Sequence, residues 1–114
     1  MASPEKVLVH RILLRHASRP DVRLWRNETG LFWTADGGRI FCGLCKGSSD
    51  IIGISMVAIA WNDWVGVKVA LEVKTHGVAT TKLQHKYIAQ MLEMGAIAGV
   101  VKDMDDVDAL LGEP

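Results

Sequence analysis

The chain holds only two cysteines, Cys42 and Cys45, among 114 residues. Their Cys-Gly-Leu-Cys spacing suits half of a zinc knuckle, and His10, His16, His76 and His85 are nominal partners. A structural zinc needs four ligands, however, and no second pair stands at finger spacing. No zinc is expected, and the two cysteines read as reduced, partly buried thiols. No apolar run approaches membrane-spanning length, and "MASPEKVLVHRILLRH" lacks the apolar block of a signal peptide. We therefore expect an intracellular, cytoplasmic protein that does not engage a membrane. Net charge is lacking too, at zero, and so gives no general reason to expect a polyanion.

The charge that is present is unevenly spread. Residues 1–50 carry eight Lys/Arg against five Asp/Glu, whereas residues 51–114 carry five against eight. Arg11, Arg15, Arg19, Arg23 and Arg26 crowd the first quarter, which suits either a phosphate-tracking face or an ordinary solvated helix. Apolar residues make up 49% of the chain. A chain of this size buries roughly 60–70% of its unfolded surface, enough for one domain over residues 1–114 without disulfide or metal.

Ser3 caps a first helix that has Pro4 at its first position and Glu5 in its first turn, and Leu8, Val9, Ile12 and Leu13 recur at helical spacing. "VRLWRNETGLFWTADGGRIF" then breaks into short extended pieces at Asn27–Gly30 and Asp36–Gly38. "DIIGISMVAIA" and "WVGVKVALEVKT" read as antiparallel neighbours reversing at Asn62-Asp63. Thr81 and Gln84 form a capping box for a helix to about Met94, "AIAGVV" is a strand covered on both sides, and "DMDDVDALL" is a closing helix. This order predicts an α/β domain around one sheet.

Within "VALEVKTHG", Val69, Leu71 and Val73 point to one face and Glu72 and Lys74 to the other. A reversal at Asn62-Asp63 sets Asp50 roughly opposite Lys74, while a residue or two of bulge sets it beside Glu72. Two adjacent carboxylates repel unless a cation compensates, and Mg²⁺ is commonly held by one or two carboxylates with waters and phosphate. A lysine beside them can orient or help deprotonate an attacking water. The same Glu-x-Lys pattern on an open sheet face is equally an ordinary solvated pair worth less than ~1 kcal/mol.

Taken in order, "RLWRNETG" (23–30), "GSSDIIGI" (47–54), "LEVKT" (71–75) and "TTKLQHKYIAQMLEMGAIAGVV" (80–101) resemble the virus-type replication-repair nuclease domain, VRR-NUC, of the PD-(D/E)XK nuclease superfamily. The likeness runs from about residue 4 to 111. It implies a restriction-endonuclease-like αβββαβ core, a central mixed sheet flanked by helices. It further implies a DNA endonuclease dependent on Mg²⁺ or Mn²⁺, homodimeric, and selective for branched or Holliday-junction-like DNA. By the same likeness Asp50 and Glu72 are metal ligands with the Val73 carbonyl as a third, and Lys74 is the catalytic lysine. Gln84 lies near the active site, and Glu5 is a further acid at the metal. Ser49 stands where the superfamily often has proline, which implies a small difference in local geometry.

Arg26, Asn27, Lys46 and Ser48 are the expected DNA contacts, the last two because small residues around them let a phosphate backbone approach. Trp61 and Trp64 flank the hairpin turn, where an exposed pair would form an interaction patch. The alternative to a nuclease is a catalytically silent DNA-binding or protein-interaction module of the same fold.

Overall fold

A computed structural model describes residues 3–114. Helix α1 spans Pro4–His16 and starts as its sequence dictates: the Ser3 hydroxyl accepts the Lys6 N–H at 3.2 Å, and Glu5 sits in the positive first turn. Five extended segments follow, β1 (Val22–Arg26), β2 (Gly30–Trp33), β3 (Arg39–Cys42), β4 (Ile51–Ala60) and β5 (Asp63–Val73). Helix α2 (Lys82–Glu93), strand β6 (Ile97–Val101) and helix α3 (Met104–Leu111) complete the chain. The capping box of α2 is formed in both directions, with Thr81 Oγ1 accepting from Gln84 N and Gln84 Oε1 accepting from Thr81 N. Among the described residues no helix is long and apolar enough to cross a membrane.

The protein is mixed α/β. Its main sheet runs β1-β4-β5-β6, with β1/β4 and β4/β5 antiparallel and β5/β6 parallel, and β2-β3 form a separate hairpin. Strand β5 is central, and its alternation sorts the helices onto two faces. Val69, Leu71 and Val73 join Ile51 and Val101 under Val9 and Ile12 of α1 and Val107 and Leu111 of α3. On the opposite face Ala70 and Ala98 meet Tyr87 and Ile88 of α2. Two alanines on the sheet leave α2 little volume to clear, so it can lie close to β5 and β6. Each fully buried Val, Leu or Ile contributes about 1.5–3 kcal/mol, so the α1–sheet–α3 layer is the main apolar source of stability.

Beyond Val69 and Ser55, β4 and β5 leave their neighbours and project as a two-stranded arm, and the molecule measures 55 × 28 × 25 Å. Its tip is Trp61–Asn62, with Asn62 in the left-handed region at φ 61°. The reversal thus falls one residue earlier than Asn62-Asp63. Asparagine tolerates a positive φ because its short polar side chain can bond locally. The register also shifts between Ala58 and Ala60, a bulge at Ile59.

Two arginines of the first quarter serve the fold. Arg15 pairs with Asp108 at 2.7 Å, and Arg19 pairs with Asp21 at 2.9 Å while donating to the carbonyls of Gly112 (2.8 Å) and Leu111 (3.1 Å). The Arg19 side chain is only 10% exposed, so it fastens the carbonyl end of α3 to the segment after α1. Arg19→Ala is expected to lower unfolding free energy by about 2 kcal/mol in urea titrations, the scale of charge-assisted hydrogen bonds lost from a shielded site. An unchanged midpoint would remove this latch from the account of stability.

Candidate active site

The bulge and the early turn decide which residues meet. Ile51 pairs with Leu71. Continued by one residue, this register sets Asp50 across from Glu72, not across from Lys74. Asp50 Oδ2 accepts the Val73 N–H at 2.9 Å, which fixes the aspartate against the end of β5. Val73 therefore enters the site through its backbone, with its side chain in the core.

Glu72 is 1% exposed and Lys74 is 9% exposed, so the pair is not a solvated surface ion pair. Lys74 Nζ lies 3.7 Å from Glu72 Oε1, longer than a hydrogen bond, and Glu72 Oε2 has no hydrogen-bond partner. Burial pushes the Glu72 carboxyl up to about 8. The charge of Asp50 and the contact between the two carboxyls add to the rise, Glu5 adds a little, and Lys74 opposes it. At neutral pH the site accordingly favours a protonated Glu72 beside Asp50.

A cleft of about 310 Å³ opens at Asp50, lined among others by Ser3, Glu5, Lys6, Arg26 and Asn27. Glu5 reaches the cleft from the first turn of α1 and is partly buried. Arg26 is exposed at the end of β1, its Nη1 3.7 Å from Glu28. Lys46 is exposed on the loop leading to Asp50. Both can meet a polyanion.

Other expected residues are placed differently. Gln84 caps α2, with its side-chain oxygen on Thr81 N, and no hydrogen bond joins it to Asp50, Glu72 or Lys74. Asn27 and Ser48, expected as strand contacts, are 8% and 5% exposed and bond to each other at 2.8 Å. Their side chains face inward and hold the loop before Asp50. A polar residue between a strand end and a glycine turn suits either a ligand contact or a loop clamp, and the sequence did not distinguish them. Ser49, in the position before Asp50, is fully buried with its hydroxyl unpartnered. The loop also depends on Gly47 at φ 85°, where an added Cβ would stand 2.6 Å from Leu83 Cβ of α2.

Among the described residues no group of three or more His, Cys, Asp or Glu side chains is arranged to hold a metal ion. What exists is a pair of carboxylates with one orphaned buried oxygen, Glu72 Oε2. That donor set suits a hard cation such as Mg²⁺ or Mn²⁺, which takes one or two protein carboxylates and completes its shell with water and phosphate. A comparison with protein-family models finds no match, and neither do comparisons with curated proteins and with solved structures.

A pH dependence follows from Glu72. Its folded pKa of about 8 lies above the ordinary value of 4.5, so between these pH values the native state holds a proton that the unfolded state has released. Metal-free protein should therefore lose stability as pH rises from 5 to 8, by a few kcal/mol at most from this group. Glu72→Gln should flatten that slope in urea titrations at pH 5.5 and 8. A slope unchanged by the substitution would show that Glu72 is not held as described.

Proposed function

We propose that this chain is a metal-dependent DNA endonuclease of VRR-NUC type, built on a restriction-endonuclease-like αβββαβ core. The observation that carries the proposal is the convergence of Asp50, Glu72 and Lys74 at one end of the β4–β5 pair, with a buried carboxylate oxygen lacking any partner. The element order supports it, since setting the β2-β3 hairpin aside leaves α1, β1, β4, β5, α2 and β6 in αβββαβ order.

Asp50 and Glu72 would hold Mg²⁺ or Mn²⁺, with the Val73 carbonyl as a third donor. When bound, the ion supplies positive charge for the scissile phosphate and lowers the pKa of a water. Lys74, fixed beside Glu72 by its backbone bond to Val101 (3.0 Å), would orient the attacking water by donating a hydrogen bond to its oxygen. Glu5 adds negative charge at the cleft mouth, and Gln84 sets the start of α2 near the site. Lys46 and Arg26, both exposed, offer cations to the DNA backbone.

A homodimer acting on branched DNA is part of the proposal. The β4–β5 arm leaves Ile59 60%, Trp61 95% and Trp64 54% exposed, an apolar surface that a second copy would cover. Two symmetric sites can address two strands of a symmetric junction.

With Mg²⁺ or Mn²⁺ the protein should cut a four-way junction faster than linear duplex, and EDTA should stop it. Asp50→Ala should abolish cleavage, and Lys74→Ala should lower kcat by about 10²-fold or more. Absence of cleavage on linear, flap and four-way DNA with either ion, or activity retained in Asp50→Ala, would leave the silent-module alternative standing.

A further inference from the structure

We infer that Asn27 is a positioning residue for Asp50, acting through the loop of residues 44–50; the inference rests on the nuclease reading above. Asn27 follows β1 and spends its polar groups on that one loop. Its Nδ2 donates to Ser48 Oγ and to the Ser49 carbonyl, both at 2.8 Å. Its Oδ1 accepts the Leu44 N–H at 3.2 Å, and its own backbone N–H donates to the Asp50 carbonyl at 2.7 Å. One side chain thus grips the loop at its start and at its end, and the adjoining peptide binds the aspartate itself.

The loop has few other means of holding its shape. It contains no helix or strand, and Ser48 N bonds back only to Cys45 O at 3.1 Å. A buried amide that satisfies several groups at once is costly to lose, because each abandoned partner stays desolvated. Glu72 is held independently, since it lies within β5 between β4 and β6. Asp50 lies just outside β4, so its alignment with Glu72 relies on the loop that delivers it together with the single Val73 N–H bond to its carboxylate. Removing the Asn27 side chain should therefore misplace one carboxylate and leave the other where it is. The shared ion would bind less tightly, while Arg26 and Lys46 would still be available to DNA.

The test is Mn²⁺ binding to the intact chain, followed by electron paramagnetic resonance of the free ion, with DNA cleavage measured alongside. Asn27→Ala is expected to weaken Mn²⁺ binding tenfold or more and to lower kcat at limiting Mn²⁺ with little change in KM for DNA. Raising Mn²⁺ should restore much of the rate in protein whose metal-free circular dichroism already matches the wild type, so that the rescue is not refolding driven by the ion. Ser48→Ala, which removes one partner and not the clamp, is expected to weaken Mn²⁺ about threefold, and it decides the matter if Asn27→Ala does not fold. Wild-type Mn²⁺ affinity in a folded Asn27→Ala, or in Ser48→Ala when that variant decides, overturns the positioning role. Asp50→Asn separates the two levels. If it loses Mn²⁺ while Asn27→Ala keeps it, only the positioning role fails. If Asp50→Asn binds Mn²⁺ as the wild type does, the two-acid site is wrong and the inference falls with it.

Discussion

The arrangement turns on a carboxylate that the fold takes out of water and sets against a second one. Glu72 is buried beside Asp50, with the Lys74 ammonium 3.7 Å away as the nearest compensating charge. Left ionised and unmatched, such a group costs several kcal/mol, so the apo protein relieves it by keeping a proton. A divalent ion would match the pair better than a proton does, because it compensates two carboxylates at once. The same desolvation that destabilises the ionised pair would strengthen its attraction for a hard cation. On the proposed metal-binding reading, binding and proton release are linked, and the site should take up metal more readily as pH rises toward 8.

The fold meets this cost by making β5 the best-supported strand in the molecule. It is paired on both sides, antiparallel to β4 and parallel to β6, and its last five residues are all buried. Val69, Leu71 and Val73 anchor it to α1 and α3, while Ala70 lets α2 approach the other face. The charged residues therefore sit on a helix-covered face, which removes the contrast between a buried strand and its charges. Asp50 arrives from the opposite kind of structure, a loop at the edge of β4, fastened by Asn27 and by the Val73 N–H. One half of the site is rigid through packing and the other through a small set of hydrogen bonds.

Much of this was legible in the sequence because local rules and burial agree. Ser3-Pro4-Glu5, the Thr81/Gln84 box and the apolar alternation of β5 each specify an element by a local mechanism, and each element formed. The partner of Glu72 was less legible, since a bulge at Ile59 and a turn one residue early both change the register, and neither has a strong local signature in "VAIAWNDW". Asn27 and Ser48 carry side chains suited to DNA, yet their burial depends on where the loop after β3 folds back, a long-range fact. Arg15 and Arg19 look free in sequence for the same reason, because their partners Asp108, Leu111 and Gly112 come from the far end of the chain.

The central claim is that Asp50 and Glu72 share one divalent cation. Anomalous diffraction from crystals grown with Mn²⁺ addresses it without recourse to activity or stability. The account predicts a single strong anomalous peak in contact with carboxylate oxygens of both residues. A peak bound by only one of them, or no peak in that end of the sheet at saturating Mn²⁺, would contradict it.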